Sequence, residues 1–233
     1  MDKNILKEGL LKEGFEISEK QENNFSVFSS LLVEWNKKMN LTAITDPEGI
    51  SIKHFLDSTI PILNINIPLK SKIIDVGTGA GFPGIPIKIL RDDLNFTFLD
   101  SLNKRITFLK AVSEALSFDK AEFIHARAEE AGRNKEYREK FDFAVSRAVA
   151  PLKILCEYCI PFLKEGGFFI AFKSFDVEDE IKEAKENIRL LGGKIKEIKE
   201  IEIFSSEIKR KIIIIEKIRK TPLIYPRHPN KIR

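Results

Sequence analysis

The sequence predicts an α/β protein with a doubly wound, mostly parallel sheet, an antiparallel last strand and a group of helices before the sheet. Three observations predict this fold. Short apolar segments alternate with helix-like segments from residue 71 to residue 174, as expected for parallel strands joined by helical crossovers. A glycine-rich turn follows the first apolar segment directly. Two strand-like segments with a short link end this part of the chain, which is typical of an antiparallel pair.

Residues 1–66 are predicted to form an N-terminal helical cap. Ser18 and Gln21 form a capping-box pattern at the start of a helix. The helix carries an apolar stripe at steps of three and four residues, more typical of a core than of a ligand pocket, made of Phe25, Phe28, Leu32, Trp35 and Met39. Asp46 and Pro47 have the pattern of an N-cap followed by proline in the first turn. They predict a helix over the segment IKHFLDSTIPIL.

Residues 67–218 are predicted to form the sheet domain. Its strands are predicted at residues 72–76, 95–100, 121–126, 141–147, 166–174, 194–204 and 209–218. The first helix between them is predicted to end near Leu90. The other helices are predicted to cover residues 103–116, 151–163 and 176–193. The spacing of apolar residues predicts each element, and the glycines at 192 and 193 are typical of a helix end.

The composition favours a globular protein of the cytoplasm. Hydrophobic residues make up 43% of the chain and charged residues 32%, in the usual range for such proteins. We find no apolar segment long enough to cross a bilayer, and the first residues lack the apolar core of a signal peptide. We therefore expect a cytoplasmic monomer that does not bind a membrane.

The two cysteines, Cys156 and Cys159, lie three residues apart in a predicted helix. A redox C-x-x-C motif is one interpretation, but no strand comes just before the pair to present it. Neighbouring positions on a buried helix face are the interpretation we favour. Two cysteines and three scattered histidines also make no zinc ligand set, so we expect no metal.

The C-terminal segment is strongly basic. From residue 209 onward the chain has nine Lys or Arg residues and one acidic residue. Residues 219–233 form a basic tail whose three prolines exclude a regular helix. The tail is either a solvated terminus or a contact for a polyanion such as RNA. In the second case the contacts are Arg219, Lys220, Arg227, Lys231 and Arg233.

The glycine-rich turn lies in the segment IIDVGTGAGFPGIP, residues 73–86. A strand, a glycine turn and a helix place free N–H groups at the carboxyl edge of a sheet, where such sheets bind ligands. The spacing of Gly79, Gly81 and Gly84 matches the dinucleotide fingerprint. A nicotinamide-binding oxidoreductase is therefore one candidate.

Three features of the turn favour a different ligand. The pattern that starts at the first glycine, Gly77, is G-x-G-x-G, and Asp75 precedes it at the strand end. Pro83 and Pro86 remove two N–H donors that would otherwise help to bind a pyrophosphate. The pattern Asp-x-Gly-x-Gly-x-Gly instead resembles the first motif of S-adenosylmethionine-dependent methyltransferases. This cofactor has no phosphate and carries positive charge, so a nearby carboxylate such as Asp75 would attract it.

Asp100 ends the second predicted strand, 19 residues after Gly81. A carboxylate at this position can accept hydrogen bonds from both ribose hydroxyls. The alternative is a helix N-cap with Lys104 and Arg105 as local partners.

Six segments occur in an order and spacing that resemble one family. They are WNKKMNLTAI (35–44), HFLDS (54–58), DVGTGAGFPGIP (75–86), DSLNKRITFL (100–109), RAEE (127–130) and SRAVAP (146–151). Together they closely resemble the bacterial small-subunit (16S) ribosomal RNA guanine-N7 methyltransferase family, also called glucose-inhibited division protein B. The resemblance extends from about residue 5 to residue 227.

The resemblance implies a class I methyltransferase fold and methyl transfer from S-adenosylmethionine to N7 of one guanine in small-subunit ribosomal RNA. The substrate is free RNA, a precursor particle or the ribosomal subunit. The family's cofactor contacts match Gly77, Phe82, Asp100, Ser101, Leu102, Ala128, Glu129 and Arg147. With the loop residues Asp75, Gly79 and Gly81 these form the predicted cofactor site. For Phe82 the alternative is a core contact at the helix start.

The predicted pocket for the base contains Arg147, Asn40 and His54 as catalytic candidates, with Asp57 and Lys173 beside them. Arg147 could bond guanine or a phosphate with two nitrogens, or form a salt bridge to Asp142 or Glu129. The alternatives are cap-to-sheet hydrogen bonds for Asn40 and His54, and a phosphate contact or a solvated end for Lys173.

Guanine N7 has an in-plane lone pair and no proton, so the transfer needs positioning and no general base. Two further classes remain open: a methyltransferase for another substrate, and an RNA-binding module without activity.

Overall fold

A seven-stranded sheet in the order β3-β2-β1-β4-β5-β7-β6 is the centre of the fold. The computed structural model describes residues 1–147 and 149–232. The strands are β1 (Lys72–Val76), β2 (Asn95–Asp100), β3 (Ala121–His125), β4 (Phe141–Arg147), β5 (Leu163–Ser174), β6 (Gly193–Glu202) and β7 (Lys209–Lys217). β1 to β5 are parallel, and β7 runs antiparallel to both of its neighbours. The predicted fold class and the predicted antiparallel pair are therefore confirmed.

The helices lie before the sheet and between its strands. They are α1 (Lys3–Lys12), α2 (Glu19–Met39), α3 (Pro47–Gly49), a π-helix (Ile50–Leu56), α4 (Asp57–Leu63), α5 (Gly84–Leu90), α6 (Asn103–Ala115), α7 (Ala128–Ala131), α8 (Leu152–Cys159), α9 (Glu178–Leu190) and 3₁₀ turns at Ile160–Phe162 and Pro229–Lys231. α5, α6 and the N-terminal helices pack into one apolar core, and α7, α8 and α9 pack into a second. Both faces of the sheet are thereby covered.

The antiparallel direction of β7 matters for the site. Parallel strands β1 to β5 end at one edge of the sheet, and β7 begins at that same edge. Arg210, near the start of β7, pairs with Ser174 at the end of β5. The basic start of β7 is therefore brought next to the edge at which open α/β sheets bind ligands.

The helical cap shares an apolar core with the sheet. The capping box is present, since Ser18 Oγ accepts from the Gln21 N–H and Gln21 Oε1 accepts from the Ser18 N–H. In the predicted stripe Phe25, Phe28 and Leu32 are fully buried, while Trp35 and Met39 are partly buried against the same core. The prediction that this stripe forms core is confirmed.

One helix of the cap differs from its prediction. Asp46 caps its start as expected, with Oδ1 accepting from the Gly49 N–H at 2.6 Å. The next seven residues, Ile50–Leu56, are π-helical before α4 continues. An apolar pattern seven residues long does not distinguish a π-helix from an α-helix, so the sequence could not reveal this. Single π turns are frequent at functional sites, and this one carries His54.

The C-terminal tail is docked against the sheet domain. Arg133 and Arg138, after α7, donate to backbone carbonyls of the tail at Thr221, Pro222, Ile224, Tyr225 and Pro226. Arg227 binds the fully buried Glu157 of α8 through its side chain and its backbone N–H. The interpretation of a solvated terminus is wrong for residues 221–227, because these buried polar contacts hold them.

The remaining tail residues are divided between contacts and solvent. Arg219 donates to the Arg189 carbonyl at 2.6 Å, whereas Lys220 and Lys231 are exposed. Arg233, the last predicted contact, lies outside the described residues.

The two cysteines are buried on α8 and pack in the second apolar core. Burial raises the pKa of both thiols, which makes them poor nucleophiles. The helix-face interpretation is confirmed. Across residues 1–147 and 149–232, we find no helix both long and apolar enough to traverse a membrane.

Replacing Arg227 by Ala should destabilise the fold by about 2 kcal/mol, because it leaves the buried Glu157 carboxylate without its charged partner. Urea unfolding should show a lower midpoint with an unchanged slope. Arg189→Ala is the matched control, since Arg189 pairs with Glu186 on an exposed face of α9, and should change the unfolding free energy by less than about 0.5 kcal/mol. Equal effects of the two substitutions would contradict the docked tail.

Candidate active site

A cleft of about 480 Å³ opens at the carboxyl edge of the sheet, between the sheet and the cap. Its volume is in the range of about 300–1,000 Å³ that is typical of small-molecule sites. Nine predicted site residues line it: His54, Gly77, Gly79, Phe82, Asp100, Ser101, Ala128, Glu129 and Arg147. The topology thus brings together residues from four strand ends and from the cap.

Asp75 lies beneath the glycine loop and does not line the cleft. Its Oδ2 accepts from Thr78 Oγ1 at 2.7 Å and from the Gly84 N–H at 2.9 Å. It is fully buried, and burial raises its pKa to about 7. Asp75 thus bonds the loop and is not exposed to the cleft, so we correct the prediction that it lies beside the cofactor. The loop covers the carboxylate, and Gly84 allows it to do so, because a Cβ there would lie 2.6 Å from Oδ2.

Two glycines of the loop have different functions. Gly79 has φ +62°, and a Cβ added to it would meet only the Gly77 carbonyl, at 4.0 Å, so its free side faces the open cleft. Gly81 has φ +93°, and a Cβ there would lie 2.5 Å from Ile85 Cγ1. Gly81 therefore allows the loop to pack on α5 and does not line the cleft.

Asp100 ends β2 at the edge of the cleft and is nearly buried. Its Oδ2 accepts from the Gly79 N–H at 2.9 Å and from Arg105 at 3.2 Å. Its Oδ1 accepts from the Leu102 N–H at 2.9 Å. The predicted local partner Arg105 is present. Leu102 contributes its backbone here, while its side chain is exposed and does not line the cleft.

The opposite wall of the cleft follows β3. Ala128 and Glu129 are the first residues of α7, so their N–H groups have no acceptor within the helix. Tyr158 of α8 and Arg127 complete this wall. The sequence did not indicate that Tyr158 lines the cleft, because an aromatic residue in an apolar helix such as α8 is also typical of a core.

Arg147, at the end of β4, binds the cap. Its Nη1 donates to Asp57 Oδ2 at 3.0 Å and to the Lys53 carbonyl at 3.3 Å. Its guanidinium lies 5.1 Å from the centre of the Phe82 ring. The proposed salt-bridge partners Asp142 and Glu129 are wrong. Asp142 binds Lys164 and the Lys72 N–H instead, and the true partner comes from a segment 90 residues away.

Arg210 also binds Asp57, although the sequence did not predict it as a site residue. Its Nε donates to Asp57 Oδ1 at 2.8 Å, and its Nη2 donates to Asp57 Oδ2 at 3.0 Å. Asp57 therefore binds two arginines. Because it is 3% exposed and lies outside the lining of the cleft, it does not contact a bound base directly. The sequence did carry a signal for Arg210. The start of β7 is basic, and the predicted antiparallel direction places that start at the same sheet edge as the cleft.

His54 stacks on Phe82, with ring centres 4.4 Å apart and an angle of 16°. Its Nε2 lies 2.8 Å from Thr42 Oγ1. Burial is the main cause that lowers its pKa to about 4, so the imidazole is neutral at neutral pH. Phe82 also packs on Phe28 of the cap. It is therefore both a wall of the cleft and the predicted core contact.

The loop after α2 places Leu41 and Thr42 in the cleft wall. Asn36 Oδ1 accepts from the Thr42 N–H at 2.8 Å and holds this loop, a function that the sequence did not indicate. Asn40 is exposed at the C-cap of α2 with φ 49°. It precedes the lining residues but is not itself part of the lining.

Lys173 is neither a free phosphate contact nor a solvated end. Its Nζ lies 2.7 Å from a Glu180 oxygen and donates to the Ala150 carbonyl at 3.2 Å. Its side chain is 11% exposed. These contacts tie the end of β5 to α9, and we correct the predicted RNA contact accordingly.

Comparison with known proteins identifies relatives over almost the whole chain. A model of the family described as "GidB: rRNA small subunit methyltransferase G" matches residues 21–212. Ribosomal RNA small subunit methyltransferase G of Alkaliphilus metalliredigens (strain QYMF) is 48% identical over 227 residues, which are 97% of this chain and 95% of that protein. The protein of the same name from Clostridium novyi (strain NT) is 49% identical over 92% of this chain and 88% of its own length.

Solved structures support the fold at much lower identity. The Methanococcus jannaschii fibrillarin pre-rRNA processing protein has a TM-score of 0.52 and 19% identity, with 70% of this chain and 76% of that chain covered. A chain of the complex between the Haloferax volcanii Trm112 methyltransferase activator and the putative methyltransferase has a TM-score of 0.58 and 14% identity, over 81% and 98%. The fold, the cleft and the sequence relatives agree, and the chain belongs to the GidB family, rRNA small subunit methyltransferase G.

Proposed function

We propose that this protein transfers a methyl group from S-adenosylmethionine to N7 of a guanine in small-subunit (16S) ribosomal RNA. The main support for the proposal is the open cleft at the carboxyl edge of the sheet. There the glycine loop lies in space between Asp100 at the end of β2 and Arg147 at the end of β4. The chain also belongs to this family. The relatives are named as methyltransferases of the same RNA.

The residues of the cleft fit this cofactor. The free side of Gly79 faces open space, which leaves room for an aminoacyl chain against the backbone. Asp100 lines the cleft and is the proposed acceptor for the ribose hydroxyls. Arg105, which binds Asp100, is 36% exposed and can move into solvent. The unused N–H groups of Ala128 and Glu129 are available to the adenine edge.

The cap side of the cleft fits the base. When bound, the cofactor supplies a methyl group on a positively charged sulfur. His54 is neutral and Phe82 is uncharged, so neither adds positive charge beside the sulfur. Aromatic ring faces also attract cations, which favours the positive charge that develops on the base. Arg147 is held over Phe82 by Asp57 and is positioned to bind the base or its phosphate. Asn40, exposed beside the mouth of the cleft, is a second candidate for contact with the nucleotide.

The chain's own contribution to catalysis would be positioning. Guanine N7 attacks without losing a proton, so none of these side chains has to act as a general base. Lys220 and Lys231 stay proposed contacts for the RNA backbone, since both are exposed. Arg219 and Arg227 are engaged with the protein, and we do not include them.

Gly79→Val should reduce the affinity for S-adenosylhomocysteine at least about tenfold, because the new side chain would enter the space proposed for the aminoacyl chain. Isothermal calorimetry measures this affinity. Gly166→Val is the matched control: Gly166 has φ +80° and no atom within 4 Å of its Cβ position, so it imposes similar backbone strain away from the cleft. Equal loss in both variants would show that strain, and not occupation of the cleft, is the cause.

Arg147→Ala should preserve the fold and slow methyl transfer about 10²-fold or more, since the substrate nucleotide would lose a group that orients it. The fold should survive because Asp57 keeps both bonds to Arg210. Transfer of tritiated methyl groups to small-subunit ribosomal RNA, at saturating cofactor, measures the rate. Circular dichroism melting provides the control for folding, and wild-type activity of this variant would contradict the assigned role.

A further inference from the structure

A buried carboxylate that binds two arginines lies next to the cleft. Asp57, at the start of α4, accepts three hydrogen bonds from Arg147 of β4 and Arg210 of β7. Two positive groups and one negative group leave this cluster with one positive charge.

Both guanidinium groups have donors to spare. Arg210 uses Nε and Nη2 for Asp57, so its Nη1 points away from that carboxylate. Arg147 donates through Nη1, and no other described residue accepts from its Nε or Nη2. Among residues 1–147 and 149–232, the buried side-chain atoms without a partner are only His54 Nδ1 and Asp75 Oδ1. The spare arginine nitrogens are therefore within reach of solvent, and a ligand in solvent can reach them too.

The cluster is preorganised. Asp57 is 3% exposed, while the side chains of Arg147 and Arg210 are 12% and 28% exposed. The carboxylate fixes both arginines in one orientation before any ligand binds, which lowers the entropy that binding would otherwise lose. Guanidinium groups held in this way suit a phosphate, which accepts paired N–H bonds.

The neighbours of Arg210 on β7 do not share this property. Lys209 pairs with Glu202, and Lys211 pairs with Glu178 and Glu200. Alternate residues of a strand point to opposite faces, so Arg210 is turned toward the cap while Lys209 and Lys211 face the other side. Arg210 is thus the basic residue of this strand start that faces Asp57 and the cap.

We propose that Arg147 and Arg210 together bind one backbone phosphate of the substrate RNA, beside the nucleotide whose base enters the cleft, and that Asp57 positions both. A phosphodiester carries one negative charge, which balances the positive charge of the cluster. The proposal rests on the proposed function, since it identifies where the RNA backbone passes the methyl-transfer site. It adds Arg210 as a residue that contacts the RNA without contacting the cofactor.

The test compares Arg210→Gln with wild type in binding to small-subunit ribosomal RNA at several salt concentrations. Each phosphate contact contributes about 0.7 to 0.9 to the slope of log K against log salt concentration, so the slope should fall by about that amount. The RNA KM should rise about five- to tenfold with kcat changed less than about twofold. The affinity for S-adenosylhomocysteine should not change, because Arg210 does not line the cofactor cleft.

Arg189→Gln is the control, because Arg189 also binds a carboxylate with two nitrogens but on the exposed face of α9. It should change neither the slope nor KM. An unchanged slope in Arg210→Gln would overturn the phosphate site and leave Arg210 as a structural tie. If Arg210→Gln does not fold, Arg210→Met also removes the charge and keeps an unbranched side chain, and an unchanged slope in that variant would overturn the proposal as well. Failure of wild type to methylate the RNA at all would instead contradict the proposed function.

Discussion

Two buried carboxylates at the ends of neighbouring strands hold the glycine loop, and the shape of the cleft depends on them. β1 and β2 are parallel and in register, so Asp75 and Asp100 lie at the same edge. Asp75 binds the loop from beneath through Thr78 and Gly84, and Asp100 binds the Gly79 N–H from the cleft side. Because each of these donors is bound to a carboxylate oxygen, the loop is held in one conformation.

The cap completes the site by two kinds of contact. Apolar packing joins Phe28 of α2 to Phe82 of the loop, and the Asp57 carboxylate joins α4 to β4 and β7. His54 and Arg147 both contact the Phe82 ring. One aromatic residue thus connects the cofactor loop, the cap and the strand end that presents the proposed base pocket.

The fold and the glycine-loop side of the cleft could be predicted from the sequence because their signals are local. Asp75 and Asp100 lie at the ends of their strands and the glycines follow β1 directly, and parallel topology then brings them together. The polar contacts between cap and sheet could not be predicted in this way. Asp57 meets Arg147 and Arg210 across 90 and 153 residues of chain, and no local pattern encodes such a pairing. The tail also could not be predicted from local patterns, because its basic residues look alike in the sequence. Only the fold shows that Glu157 binds Arg227 and that Arg133 and Arg138 bind backbone carbonyls of the tail.

The most direct test of the account is to map the methyl group on the RNA. The protein is incubated with small-subunit ribosomal RNA and isotope-labelled S-adenosylmethionine. One portion of the RNA is digested and analysed by mass spectrometry, which identifies the methylated atom. A second portion is cleaved at 7-methylguanine, which gives the position in the RNA. We predict a single labelled nucleotide, with the methyl group on guanine N7. Label on another atom of the base, on many nucleotides or on none would contradict the account.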